Sequence, residues 1–367
     1  MLESVRKIKN SSATILKIHR YRAFSAVERA DSTNYVDTTG TIEHSIVITS
    51  NERYFALLKR LGAGAYGVVK KALDLLSGQA VVVKIERVDD TVAYCQDLYC
   101  SKLGSQKIEE TEIQLKLEKA RAQIGEAVQE QLMLEEQVNK ALGRFHGSLY
   151  RKNAQGMRKR YLFIDYVDAQ NLYEQNHMLS SYQESLEVGL QVLEALQNLH
   201  AVGYYHGDLN LWNILYSAVK TDVALPSVHI IDFGCALKNE MGKPAQGQIR
   251  GTHIAPELFL QNETSDLCDF TLQTEVFAAG MLLYELLTKD VFDAYRDKKF
   301  ADYKQAYQQH YQAIVEKLRV QSDMPWCELV RRMIESDPKD RPNLSDAIAE
   351  VRVLLDAILK EKSKIKM

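Results

Sequence analysis

No stretch of the chain approaches eighteen unbroken apolar residues, so nothing in it reads as a membrane-spanning helix. A surplus of either charge is also missing: 46 Lys and Arg against 49 Asp and Glu leave a formal net charge of −3. Without a basic excess there is no electrostatic footprint for nucleic acid, and none is expected as a partner. Cysteine is scarce, with five residues at positions 95, 100, 235, 268 and 327 and no CxxC pair. That pattern argues against a disulfide framework and for reduced thiols in a cytoplasmic, intracellular compartment. Cys95 and Cys100 have no histidine near them, so a shared metal is the minor reading. No internal repeat and no low-complexity tract is visible, which excludes solenoid and propeller architectures.

What remains is a globular composition, 46% hydrophobic and 26% charged over 367 residues, enough for one large core or two ordinary ones. The first 24 residues carry six Lys/Arg and one acid. A transit peptide has this composition, but a solvated basic arm is the simpler reading, and no apolar core follows that would make a secretory signal. Residues 1–50 are polar and weakly periodic and are expected to form an extension.

From Tyr54 to Glu86 strand-like runs alternate with glycine turns, which predicts three antiparallel strands. From about Lys107 to Leu142 there is no proline and a dense mix of Glu, Gln, Lys, Ala and Leu. Apolar steps of four and three through Ile113, Leu117, Ala120, Ile124, Ala127, Leu134, Val138 and Ala141 predict one long helix, interrupted on that face only by Gln131. Two strands are expected at 147–154 and 160–167 with a turn at Gly156, and the remainder reads as helical. Strands first and helices afterwards make an α+β protein of two lobes.

The chemistry starts with GAGAYGVV. Gly62, Gly64 and Gly67 allow bare backbone N–H groups to approach phosphates, although alone the run is a weak signal. Seventeen residues past Gly67 the run VVVK sets Lys84 in the next strand; a lysine in an apolar strand is otherwise an edge or snorkelling residue. HGDLNLWNIL carries Asp208 and, five residues on, Asn213; IIDFG carries Asp232 at the end of an apolar run. Asp232 and Asn213 supply oxygen ligands suited to Mg²⁺, leaving Asp208 to orient an attacking hydroxyl and accept its proton.

Taken in order, the glycine loop, Lys84, the 206–213 loop, DFG at 232–234, APE at 255–257 and DPKDRP at 337–342 resemble the signature set of the eukaryotic-type protein kinase superfamily. The match runs over about residues 51–357. The resemblance implies a bilobal protein-kinase fold with a small antiparallel-sheet N-lobe (51–167), an extended helix C and a mainly helical C-lobe (168–360), followed by a basic tail at 361–367. It implies ATP with Mg²⁺, or Mn²⁺, as cofactors. Lys84 then holds the α- and β-phosphates and pairs with a glutamate of helix C, Glu135 by its distance from the hinge residue Ile164, with Glu130 and Glu136 as alternatives. Gly62, Gly64, Gly67, Val69 and Leu215 surround the nucleotide, and the backbone of Asp165 and Val167 holds adenine. Glu257 pairs with Arg341, and Glu275 takes the place of an aspartate. His253 fills the position usually held by tyrosine.

Departures from the pattern carry information of their own. Gly207 stands where kinases regulated by activation-loop phosphorylation have arginine, and residues 235–251 contain no Ser, Thr or Tyr. Both absences imply a non-RD enzyme that needs no activation-loop phosphorylation. Asn210 replaces the lysine of Ser/Thr kinases, a loss that slows transfer unless another cation such as Lys243 or Arg250 substitutes. GTHIAPE is two residues shorter than the usual approach to APE, and an insertion over 87–118 feeds the long helix, where an activating partner would grip. The expectation is a Ser/Thr protein kinase. Alternatives are a small-molecule or lipid kinase, because HGDLxxxN is similar to the loop of aminoglycoside and choline kinases, and a catalytically weak binding module acting through the helix. So divergent a loop also suits a bacterial effector acting in a host cytosol.

Overall fold

The computed structural model describes residues 33–36, 42–48, 53–64, 67–74, 77–93, 110–152, 156–217, 226–240, 245–247, 253–261, 268–291, 300–321 and 323–365. It divides into two compact units, Met1–Tyr166 and Val167–Met367.

The first unit is built on a seven-stranded antiparallel sheet: β1 (Thr33–Val36), β2 (Ile42–Ile48), β3 (Tyr54–Gly64), β4 (Gly67–Asp74), β5 (Ala80–Arg87), β6 (Phe145–Lys152) and β7 (Arg158–Asp165), in the order β1-β2-β3-β4-β5-β7-β6. The helix α1 (Glu110–Ala141) joins β5 to β6 in the sequence and is about 48 Å long at about 1.5 Å per residue. The sheet exceeds the sequence expectation, since β1 and β2 fall in the stretch read as an extension. Their apolar residues are interrupted by Glu43, His44 and Ser45, so alternation is weak in the sequence. The last two strands start two residues earlier than expected because Phe145 pairs with Ile164 before Gly147 meets Phe163.

Successive strand residues face opposite sides of the sheet. One side carries Phe55, Leu57, Ala72, Val81, Val83, Tyr161 and Phe163 as a buried cluster, with the Phe55 and Phe163 rings stacked at 4.0 Å. The alternate residues of β5 and β7, Lys84, Glu86 and Arg160, lie on the other side, and there they meet α1. The buried face of α1 is Val128, Leu132, Glu135, Val138 and Asn139, while Ala127 and Ala141 are exposed. This corrects the apolar stripe expected from sequence by one residue's rotation. A glutamate with two cationic partners is the inward anchor, and the helix turns to deliver it. The insertion read at 87–118 begins with helical residues 88–93; residues 94–109, with Cys95 and Cys100, lie outside the described residues.

In the second unit α2 (Tyr182–Ala201) is capped by Ser181, whose side chain accepts from the Glu184 amide. The hairpin of β8 (Ile214–Ser217) and β9 (Ser227–Ile230) follows. Every residue from Thr274 to Leu286 of α3 (Leu272–Thr288) is buried: the run VFAAGMLLY between them is apolar on all sides, and Glu275 and Glu285 are taken in with partners, His200 and His253. α5 (Pro325–Met333) and α2 pack on α3, α4 (Phe300–Val320) reaches it through Tyr311 and Lys317, and α6 (Leu344–Ile365) packs on α2 and α5. Residues 361–365, expected as a tail, continue α6; Lys362 and Lys364 suit its C-terminal dipole, and Lys362 Nζ donates to Gln183 Oε1 at 2.6 Å. Among the described residues no helix is long and apolar enough to cross a membrane.

Candidate active site

In the first unit the register of β3, β4 and β5 sets Gly62 opposite Val69 and Val69 opposite Lys84, a single row across three strands. A Cβ at Gly62 would meet nothing within 4 Å, so the backbone there stands open. Gly67 has a different reason to be glycine: a Cβ would overlap the Ile85 carbonyl of the neighbouring strand. Gly64 pairs with Gly67, and Ala65 and Tyr66 at the tip lie outside the described residues.

Lys84 is drawn into a closed ring of charge. Its Nζ donates to Glu135 Oε1 at 2.9 Å and lies 3.4 Å from Glu86 Oε1. The second oxygens of both carboxylates are taken by Arg160: Nε donates to Glu86 Oε2 at 2.6 Å, and Nη2 contacts Glu86 Oε2 and Glu135 Oε2. Arg160 Nη1 also donates to the Leu132 carbonyl of α1. Two cations thus share two carboxylates. Of the alternatives, Glu136 bonds Lys140 at 2.6 Å and Glu130 is exposed. Burial works against the charge of Arg160, yet Glu135 and Glu86 outweigh it and raise its pKa. Asp165, the last residue of β7, donates its amide to the Arg144 carbonyl at 3.0 Å and accepts from His146 Nε2 through Oδ1 at 2.6 Å.

In the second unit the loop 206–213 hangs on α3. Glu275 Oε1 accepts the amides of His206 at 2.7 Å and Gly207 at 2.8 Å, while Oε2 meets His200 Nε2 at 2.7 Å. His206 Nε2 reaches the Ile231 carbonyl at 3.0 Å and Nδ1 accepts the Asp208 amide at 3.2 Å, so the ring ties the loop to the segment before Asp232. Asp208 is held at both oxygens: Asn210 Nδ2 donates to Oδ1 at 2.8 Å and Asn213 Nδ2 to Oδ2 at 3.1 Å. Asn210 also caps the following turn, its Oδ1 accepting the Trp212 amide at 3.0 Å. Burial raises the pKa of Asp208, and the Asp232 charge adds to the rise. Asp232 itself has φ +61°, a left-handed conformation that a non-glycine residue adopts at some cost.

This donor set fits a hard divalent cation. The Asn213 amide nitrogen is spent on the Asp208 carbonyl, at 2.8 Å, and carboxylate, so its side-chain oxygen is the atom that could serve such a cation, and Asp232 would supply a carboxylate. Leu215, on β8, and Val167, at the start of this unit, are half-buried. Glu257 and Arg341 form a bidentate pair at 2.8 and 2.7 Å, and Arg341 also donates to the carbonyls of Glu335 and Gln273 at 2.8 Å each. His253 is buried between the Leu209 carbonyl, 3.0 Å from Nδ1, and Glu285 Oε1, 3.2 Å from Nε2. Lys243 and Arg250, offered as substitute cations, lie outside the described residues.

Sequence reasoning missed Glu86, Arg160, His200 and Glu285. Glu86 follows Lys84 by two, which on a strand means the same face, and it pairs directly with Arg160 across the sheet. That signal was available; the burial of Arg160 was not.

A lysine–glutamate pair on a sheet and helix, together with an Asp/Asn loop and a second aspartate, are the parts of a phosphotransferase. The protein kinase domain family matches residues 55–351, most of the chain, and the chain belongs to that family. It is similar to calcium-dependent protein kinase 27 of Arabidopsis thaliana, 26% identical over 51% of this chain and 38% of that protein. It is similar also to the probable serine/threonine-protein kinase PknB of Lactococcus lactis, 28% identical over 36% and 20%, and to calcium-dependent protein kinase 5 of Plasmodium berghei, 25% identical over 69% and 38%. The chain spans well under half the length of these relatives. The family implies ATP and a divalent metal.

Proposed function

We propose that this protein is a kinase that transfers the γ-phosphate of Mg-ATP to serine or threonine hydroxyls of protein substrates, without phosphorylation of its activation segment. The observation that carries the reading is the Asp208 carboxylate, held by Asn210 and Asn213 and raised in pKa by burial. A hydroxyl that hydrogen-bonds to this carboxylate is oriented for attack and has an acceptor for its proton. Asn213 and Asp232 hold the divalent cation, which when bound screens the charge of the phosphates. Lys84, ion-paired with Glu135 and 3.4 Å from Glu86, binds phosphate oxygens. Gly62, Gly64, Gly67, Val69 and Leu215 are assigned to the nucleotide's surroundings, and adenine to the backbone of Asp165 and Val167.

Two features support independence from activation-segment phosphorylation. Gly207 leaves the loop without a cation to receive a phosphate, and residues 235–251 offer no hydroxyl to carry one. The Ser/Thr preference draws on the names of distant relatives. The Glu257–Arg341 pair favours a protein kinase over the small-molecule kinases with similar loops. The test is γ-phosphate transfer from Mg-ATP to generic basic proteins and to the enzyme itself, with Asp208→Asn and Asp232→Ala as controls. Label that enters serine or threonine and vanishes in both variants supports the reading. Nucleotide binding without transfer to any protein overturns it.

A further inference from the structure

The ring around Lys84 contains one member that the proposed reaction does not use. Arg160 touches no position assigned to the nucleotide, yet its guanidinium is fully buried and meets Glu86, Glu135 and the Leu132 carbonyl at once. Three acceptors in three directions match the planar fork of an arginine and no other side chain. Two of them, Glu135 and Leu132, belong to α1; the third, Glu86, belongs to the sheet. One residue therefore ties the helix to the sheet through both a side chain and the backbone.

The apolar alternatives for this tie are few. The described part of α1 buries only Val128, Leu132 and Val138 among its large apolar residues, and Val128 and Leu132 join a small cluster with Val88 and Val92. Buried charge also leaves little freedom. With Arg160 removed, Lys84 faces two carboxylates alone, and one buried negative charge stays unbalanced.

We propose that Arg160 is a built-in positioning residue. It holds Glu135 beside Lys84 from within the first unit, so that the Lys84–Glu135 pair stands without an activating partner on α1. The proposal rests on the kinase reading given above and extends it from the chemistry to its regulation. It supplies a physical basis for an enzyme that lacks both an acceptor hydroxyl in residues 235–251 and an arginine at 207. The hold that other kinases make conditional is, in this chain, a permanent charge pair.

The experiment compares wild type, Arg160→Lys, and Arg160→Met combined with Glu86→Gln, which removes one cation and one carboxylate together so that the core stays neutral. Two readouts are taken: hydrogen exchange along residues 123–141 against α3, and kcat and KM for ATP. The double variant is expected to lose protection along α1 while α3 is unchanged, and to lose about tenfold or more in kcat with a smaller change in KM. Arg160→Lys, which keeps the charge and reaches fewer acceptors, falls between. In a Glu135→Gln background the further loss of kcat disappears, because the effect passes through Glu135. Losses that simply add in that background, or α1 protection equal to wild type in the double variant, overturn the proposal. If wild type transfers no phosphate, the kinase reading fails by itself and the exchange data alone decide the role of Arg160.

Discussion

Gly207 lies against the carbonyl oxygen of Cys235, so close that a Cβ at position 207 would overlap it, and its φ is +76°. The 206–213 loop and the residue after DFG thus meet backbone to backbone. Glycine at 207 is a steric requirement twice over: no side chain fits the space, and few tolerate the backbone angle. An arginine at this position would require the loop and Cys235 to move apart.

Restoring that arginine is therefore expected to damage the protein. Gly207→Ala should destabilise by about 1–3 kcal/mol from strain alone, and Gly207→Arg by more, with transfer reduced in step. Thermal unfolding of the two variants checks this. A Gly207→Arg protein as stable as wild type would mean that the loop moves away from Cys235 readily.

Glu275 should show how firmly the loop depends on α3. It accepts the His206 and Gly207 amides and contacts His200 while only 1% exposed. Glu275→Ala leaves two buried amides without an acceptor and should cost about 3–5 kcal/mol. Glu275→Gln keeps one oxygen for the amides and should cost far less. Chemical denaturation of both variants separates a hydrogen-bonding role from a purely electrostatic one, which would make them equal.

Much of this site was legible because its chemistry is local in sequence: a loop of eight residues carries Asp208 and Asn213, and two short motifs carry Lys84 and Asp232. Glu135 was reachable by its spacing from the hinge. The face of α1 was not, because periodicity counts apolar residues while this helix turns inward on a glutamate and an asparagine, Glu135 and Asn139. Arg160 in RKRYLFID reads as one of several exposed cations; only pairing in register with Glu86 takes it out of water. The strands β1 and β2 escaped notice for the converse reason, since polar residues interrupt their alternation and the pairing partner decides their fate.

His253 makes stability pH-dependent in a defined direction. Burial disfavours its charge, but Glu285 and the Leu209 carbonyl outweigh that and raise its pKa above the usual histidine value. A raised folded-state pKa means that the contribution is complete below the unfolded value of about 6.5 and is lost as pH climbs through the folded value. The stability gap between wild type and His253→Gln should therefore be widest in mild acid and narrow towards alkaline pH. A gap that widens with pH would mean that His253 is buried neutral.

Asn210 offers the cleanest probe of the carboxylate at the centre of the site. Its two ends do separate jobs: Oδ1 caps the turn at Trp212, and Nδ2 donates to Asp208 Oδ1. Asn210→Asp keeps the cap, since an aspartate oxygen accepts the same amide, and replaces the donor with a second negative charge beside Asp208. Two carboxylates that close resist ionising together, so the Asp208 pKa rises further and the acid limb of kcat moves to higher pH, by about one unit or more. At neutral pH kcat should fall by about tenfold or more while KM for ATP changes little, because the nucleotide is assigned to other residues. The same rise costs about 1.4 kcal/mol of stability per unit at neutral pH, so kcat is compared well below both unfolding transitions, where the two proteins are fully folded. A pH profile identical to wild type would show that the Asn210 amide has no part in tuning Asp208, and that Asn213 alone holds the carboxylate in place.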